Sequence, residues 1–416
     1  MVPQQGEGAI DVIKCLSEPE KKRIRLVAYL LTVLSTFSLG VTEIFAPWYA
    51  GILHASPWEM GWAMASFGIV YMFSPALGGK VSDRIGRKRS IAVATIAYIC
   101  VLLIYPQPFV MPIHLIIIRA LEGLFFGLFN PSIEGMVAEL CPDSQVAVLG
   151  NFSSSWSVGM ILSPFVIGYM SVTYGHVTSI YVVLAMELVV LALILLLVKP
   201  YTMQQIAAPT KTGDTRHETE PANLLSDARP PISKTSNRFV ASYFSVALFG
   251  FSSTLLLSLF PTYVQNLPGY VTTDFGVLLA VWNISRTFAF LGLTKTPREY
   301  MGNVMIIGAI LTGVSMFLVY GSTLYVFLAA AMVLCGIGVG FNYLGALYIV
   351  VSATEKEKGA HAGLVESLAG VGFFVGPILG GWIAGGEVTS NLPYLLTAVY
   401  AVVSLIIIVA LLKRKK

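Results

Sequence analysis

The sequence predicts an all-α membrane protein with twelve transmembrane helices in two six-helix bundles and with both termini in the cytoplasm. Three observations carry this. First, 56% of the 416 residues are hydrophobic and 12% charged, with a mean hydropathy of +0.77, whereas a soluble globular domain carries roughly 25% charge. Second, the apolar residues form continuous runs of about 20, long enough to cross the hydrocarbon as helices. Only helices and closed barrels satisfy every backbone group in lipid, and barrel strands alternate in polarity, so continuous runs select helices. Third, 24 of the 26 Lys and Arg fall on one side when the N-terminus is placed in the cytoplasm, and the other two, Arg119 and Arg286, lie inside spans. Such complete asymmetry sets the orientation by the positive-inside rule.

The elements follow in order. A polar tail, 1–25, precedes the first apolar run, near 26–52. That run is too long for a signal-peptide core and no small-residue cleavage site follows it, so it is the first span. The next two, near 58–79 and 89–108, flank a burst of charge, and the fourth, near 111–138, carries charges within its apolar length. Spans 5 and 6 lie near 146–171 and 177–198. Residues 199–238 form the longest polar stretch, with Pro209, Gly213, Pro221, Pro230 and Pro231 among Ser, Thr and mixed charge, the composition of a flexible linker between bundles. The second bundle, 239–412, has spans near 239–262, 272–293, 302–320, 322–350, 361–384 and 391–412, and a basic tail, 413–416, ends the chain. An internal repeat supports the six-and-six division. At a constant offset of 213, Gly79, Gly123, Gly127, Gly150, Gly159, Pro164 and Gly168 match Gly292, Gly336, Gly340, Gly363, Gly372, Pro377 and Gly381. The cysteines, Cys15, Cys100, Cys141 and Cys335, lie in cytoplasmic or intramembrane positions, so no disulfide is expected, and they have no metal-ligand spacing.

The charge burst between spans 2 and 3, GKVSDRIGRKRSI from Gly79 to Ile91, is ordered: Asp83 stands beside Arg84, then come Gly86 and the run Arg87, Lys88 and Arg89. It resembles the loop between helices 2 and 3 of the major facilitator superfamily, G-x-L-a-D-r-x-G-r-k-x-x-l, with Val81 and Ser82 at its leucine and alanine. The resemblance extends to essentially the whole chain outside the tail and linker. It implies the major facilitator fold, in which helices 1, 4, 7 and 10 line a central cavity and the two bundles rock about a midplane site in alternating access. It also implies that Asp83 faces the N-terminus of helix 11, where the dipole favours an anion, and that the bases pair with acids at nearby helix ends, Glu134 and Glu139 being candidates. The corresponding loop 8/9 keeps Gly292 but has Thr296, Pro297, Glu299 and Tyr300 opposite Asp83, Arg84, Gly86 and Arg87, so gating charge is expected on one half.

In span 4, Arg119, Glu122, Asn130 and Glu134 fall along one side of a helix. Charges within the hydrocarbon are costly and face a cavity or a partner. Arg119, Glu122, Gly123 and Gly127 resemble the family's helix 4 motif R-x-x-q-G-x-g, with Glu at the usual Gln, and the resemblance implies a part for Arg119 in proton coupling. A plain i,i+3 ion pair is the competing reading. Glu43 stands alone in the outer half of span 1 among Thr42, Phe45, Pro47 and Trp48. A carboxyl in an apolar cavity can exchange a proton near neutral pH, which makes Glu43 the first candidate for binding a proton or a cationic substrate, against a neutral hydrogen-bonded acid or a partner for Arg119. Asn342 and Tyr343 in span 10 are cavity candidates or ordinary helix contacts. Arg286 is expected to snorkel toward the cytoplasmic edge, and Glu187 in span 6 has no assigned role. Span 11 reads G-x-x-x-G-P-x-x-G-G at Gly372, Gly376, Pro377, Gly380 and Gly381, small residues that serve close packing or a bend. The pattern resembles the family's antiporter motif, which belongs on helix 5. There the chain has Gly159, Ser163, Pro164 and Gly168, with Ser163 and Ile167 replacing two glycines.

No phosphate-binding Gly-rich loop, zinc spacing or catalytic constellation stands out, so neither enzyme activity nor a metal or cofactor is expected. The reading is a secondary active transporter of a small organic solute, coupled to protons and working by alternating access. It is expected in the cytoplasmic (plasma) membrane as a monomer, with the solute, protons and the lipid bilayer as partners and no nucleic acid. The likeness to drug and metabolite exporters and the partial helix 5 pattern incline it toward efflux. Proton-linked metabolite uptake is the alternative, and a non-transporting receptor or scaffold on the same fold is a further one, against which the costly intramembrane ions argue.

Overall fold

Residues 18–140, 145–198, 237–293, 296–351 and 358–413 are described by the computed structural model, and all regular structure among them is helical. The elements are α1 (Glu18–Ile52), α2 (Pro57–Tyr71), α3 (Ser74–Ile85), α4 (Arg87–Leu102), α5 (Pro112–Leu140), α6 (Gln145–Phe165), a π-helical turn (Val166–Met170), α7 (Ser171–Tyr174) and α8 (Thr178–Leu197). There follow α9 (Asn237–Gln265), α10 (Thr272–Leu293), a 3₁₀ turn (Arg298–Tyr300), α11 (Met301–Gly321), α12 (Tyr325–Val351), α13 (Lys358–Ile383) and α14 (Leu392–Lys413). By length and apolarity alone, 8 of these can each cross a membrane, namely α1, α5, α8, α9, α10, α11, α12 and α14, and the bent pair α2 and α3 makes a ninth. Most of the predicted linker, and the ends of both predicted tails, lie outside the described residues.

Three places depart from the simple reading of apolar runs. The helix expected from residue 26 starts at Glu18, taking the basic residues Lys21 to Arg25 into its first turns. The second span is two helices meeting at 44° around Met72 and Phe73. Pro75 lies in the first turn of α3 and has no N–H to return to Tyr71, so the ladder breaks there. The expected loop from Gly79 to Ile91 is mostly helix. It contracts to the single residue Gly86, whose φ of 92° no L side chain adopts without strain. At the opposite end of α2, Ser56 and Glu59 form a reciprocal capping box, with the Ser56 N–H donating to Glu59 Oε2 at 2.8 Å and Pro57 opening the helix.

Helices α1–α8 pack largely on one another, as do α9–α14, and among the described residues the two groups meet chiefly where α2 crosses α13, α6 and the π-helical turn cross α10, and α9 crosses α1 and α2. Two crossings repeat one device. The Pro377 carbonyl of α13 lies where a Cβ on Gly61 of α2 would stand, and the Pro164 carbonyl of α6 lies 2.7 Å from a Cβ built on Gly276 of α10. Glycine there lets backbone meet backbone. The offset repeat recurs within each group: Gly123 abuts Phe67 of α2 as Gly336 abuts Trp282 of α10, and Gly159 abuts Val33 and Thr36 of α1 as Gly372 abuts Ala247 and Phe251 of α9.

Candidate functional site

Two buried charged clusters stand out, one on α5 within the first group and one on α10 against α6 of the other. Arg119 and Glu122, one turn apart on α5, form an ion pair with both side chains fully enclosed. Tyr105 donates to Glu122 Oε1 at 3.0 Å. On the arginine, Nη1 also donates to Thr42 Oγ1 of α1 at 3.4 Å, Nη2 reaches the Met64 sulfur at 3.7 Å, and the guanidinium lies 4.6 Å from the centre of the Phe67 ring. Thr42 in turn bonds the Tyr98 hydroxyl at 3.1 Å. Thr42 of α1 thus links the ion pair on α5 to α4.

Glu43 follows Thr42 and is half-buried. It makes no hydrogen bond with another described residue, yet it lies in the electrostatic field of Arg119, Arg286 and Glu122, in that order of strength. The sequence treated Glu43 and Arg286 separately; in the fold each lies in the electrostatic field of the other, beyond ion-pair distance. The expectation that Arg286 snorkels is overturned, because it is 2% exposed. Its Nη2 donates to Asn283 Oδ1 at 2.7 Å, and its guanidinium sits between two indoles, Trp282 on its own helix at 4.6 Å and Trp156 of α6 at 5.0 Å. Trp282 precedes Arg286 by one helical turn, the local signal that sequence reasoning passed over. Trp156, from the other group of helices, had none.

Other candidates divide between groups and bundle interiors. Asn130 donates to the Tyr71 hydroxyl at 3.2 Å. Asn342 is fully buried: its Nδ2 donates to Thr312 Oγ1 at 3.2 Å and its Oδ1 accepts from Ser245 at 3.1 Å, which is the helix-contact arrangement. Tyr343 is half-buried, its ring 4.8 Å from Phe249. The small residues of α13 serve two faces, Gly372, Gly376 and Gly380 toward α9, Pro377 and Gly381 toward α2. On α6, Gly159 faces α1 and Pro164 faces α10, as does Gly168 of the π-helical turn. Glu187 of α8 is buried, and with Ser35, Thr95 and Tyr98 it lines a cavity of about 10 Å³, room for about one water.

Around Gly86, Asp83 is 54% exposed and pairs with Arg87 at 2.9 Å. Arg87 is buried, donates to Ser82 Oγ at 2.8 Å and covers Gly135 of α5. Lys88 donates to the Leu195 carbonyl at 2.8 Å, a cation on the last turn of α8 where the dipole favours it. Arg84 points outward, exposed. The side chains of the first turn of α13 and of Glu139 lie outside the described residues, and with them the expected positions of Asp83 against that helix and of a base against Glu139.

Fold and site define an integral, multi-pass helical membrane protein with buried charges in both helix groups, the build of a solute transporter. A model of the Major Facilitator Superfamily matches residues 28–299 and 302–416, and the chain belongs to that superfamily. It is 25% identical to the hexuronate transporter of Bacillus subtilis over 92% of each chain. It is 24% identical to the staphyloferrin B transporter of Staphylococcus aureus, over 84% of this chain and 82% of that one, and 21% identical to multidrug resistance protein 1 of Bacillus subtilis over 94% and 97%. Among solved structures, the nucleoside transporter NupG superimposes with a TM-score of 0.71 at 17% identity, covering 95% of this chain and 100% of that one. A bacterial homologue of the human lysosomal transporter Spinster, inward-facing and occupied, gives 0.73 at 14%, covering 96% and 98%.

Proposed function

We propose that the protein is a proton-coupled secondary transporter of a small organic solute, working by alternating access in the cytoplasmic membrane with the end that carries Gly86 in the cytoplasm. The observation that carries this is the position of Glu43, a half-buried carboxyl acted on by a cation in each group of helices, Arg119 and Arg286. A group that senses both halves can tie its protonation to their relative position, which is what coupling requires. Arg119, held by Glu122 and Thr42, then sets the field in which Glu43 titrates, and Asp83, Arg84, Arg87 and Lys88 serve the cytoplasmic gate.

Reconstituted protein should accumulate its solute when a pH gradient is imposed across the vesicle wall, and the sign of the effective gradient separates co-transport from exchange. Glu43→Gln should abolish gradient-driven accumulation while solute binding, read by thermal stabilisation, persists. An unchanged pH profile in that variant removes Glu43 as the proton carrier.

A further inference from the structure

Arg286 is a buried cation with no carboxylate within ion-pair distance among the described residues, and its Nε has no hydrogen-bond partner. Arg119, equally enclosed, has Glu122. Asn283 and two indole faces attract the Arg286 guanidinium, but each indole contributes at most about 2 kcal/mol, and an ion taken out of water loses several. A guanidinium presents a planar fork of donors that fits a carboxylate bidentately. Trp156, which is half-buried and comes from the opposite group of helices, lies against the guanidinium. Glu43 acts on Arg286 only from beyond ion-pair distance, which leaves the guanidinium's donors to an anion that arrives at the joint.

We propose that Arg286 is the anchor for the carboxylate of the transported solute, a small organic acid, and that Glu43 takes up one proton as this anion binds. The proposal rests on the transport reading above and names its substrate class. The charge count supplies the second half. Arg119, Glu122, Arg286 and Glu43 sum to zero when all are ionised, and one added anion unbalances the joint unless a proton from solution joins the Glu43 carboxylate. The groups acting on Glu43 are Arg119 and Glu122 of α5 and Arg286 of α10, while Glu187 of α8 acts on Tyr98. Anion and proton then cross together without net charge.

The test uses the purified full-length protein with benzoate, gluconate, lactate and pyruvate, each against its neutral amide. At least one carboxylate should raise the melting temperature while its amide does not. Arg286→Gln should weaken that carboxylate's affinity by about 10- to 100-fold, the weight of a charge-assisted hydrogen bond, and Arg286→Lys by less; each variant's own melting transition verifies folding. Calorimetry in two buffers of different ionisation enthalpy should find about one proton taken up per anion in the native protein and none in Glu43→Gln. No stabilisation by any carboxylate, equal stabilisation by the amides, or unchanged affinity in a folded Arg286→Gln or Arg286→Lys variant overturns the anchor. Zero proton uptake in the native protein overturns the coupling. Carboxylate binding with no gradient-driven flux would sink the transport reading and leave the anion site standing, whereas gradient-driven flux of neutral solutes alone does the reverse.

Discussion

At the scale of single residues, the pair Arg119–Glu122 has a direct stake in stability. Both groups are fully buried, so removing one leaves the other charged without a counter-charge in a low-dielectric interior. Glu122→Gln should destabilise the protein by about 3–5 kcal/mol, read as a fall in the midpoint of unfolding in detergent. The double variant Arg119→Leu with Glu122→Leu should lose less than Glu122→Gln alone, since an apolar pair leaves no orphaned ion; a double variant as unstable as the sum of the two single changes would mean the pair is not coupled. This pair was legible in the sequence because its partners are one turn apart. Arg286 was not. Snorkelling is a sound expectation for an arginine near the end of an isolated helix, but its surroundings here include Trp156, 130 positions away in the chain and brought to it by the crossing of α6 with α10. Glu43 was found for its isolation, with Arg119 already named as a possible partner, while the action of Arg286 on it emerged only with the fold.

At the scale of elements, the apolar runs located the helices because a span needs a long uninterrupted stretch and nothing else in the chain resembles one. What the runs could not carry was where the ladder breaks. The bend at Met72 and Phe73 and the π-helical turn after Pro164 depend on which backbone groups find substitutes once a proline removes an N–H. The charged stretch read as a loop is two helices hinged at Gly86, since charged side chains signal water at the membrane edge, and water tolerates a helix as readily as a coil. Two substitutions in that stretch should have opposite signs. Gly79 sits within α3 with open space around its Cα, so Gly79→Ala should stabilise by about 0.5–1 kcal/mol. Gly86 has φ of 92°, so Gly86→Ala should destabilise by about 1–2 kcal/mol. Thermal unfolding of the two variants beside the native protein checks both. A stabilising Gly86→Ala would show that the hinge is not held in that conformation.

At the scale of the whole molecule, the joint between the two groups is built twice from one pattern. The Pro164 carbonyl of α6 meets Gly276 of α10, and the Pro377 carbonyl of α13 meets Gly61 of α2, so each group contributes one proline-bearing helix and one glycine-bearing helix. A third contact closes the end of the molecule away from Gly86. There Trp48 of α1 donates to Gln265 of α9 at 2.5 Å, and a Cβ on Gly51 would stand 3.1 Å from Thr262 Oγ1. If the groups rock about the charged centre, this end must open in every cycle, and holding it shut must stop transport. Cysteines at 51 and 262 are the pair to cross-link, because a Cβ at 51 would lie against the Thr262 side chain, and a disulfide needs Cβ atoms about 3.5–4.5 Å apart. In a background with the four native cysteines replaced, Gly51→Cys with Thr262→Cys should cross-link on mild oxidation, lose solute flux in proportion to the fraction cross-linked, and recover it on reduction, with each single variant insensitive to oxidant. The cross-linked protein should still bind solute from the side that carries Gly86, since closure of one end leaves the other free. Undiminished flux through fully cross-linked protein would mean that α1 and α9 need not part, and rocking about the joint would then have to give way to a motion confined to the other end.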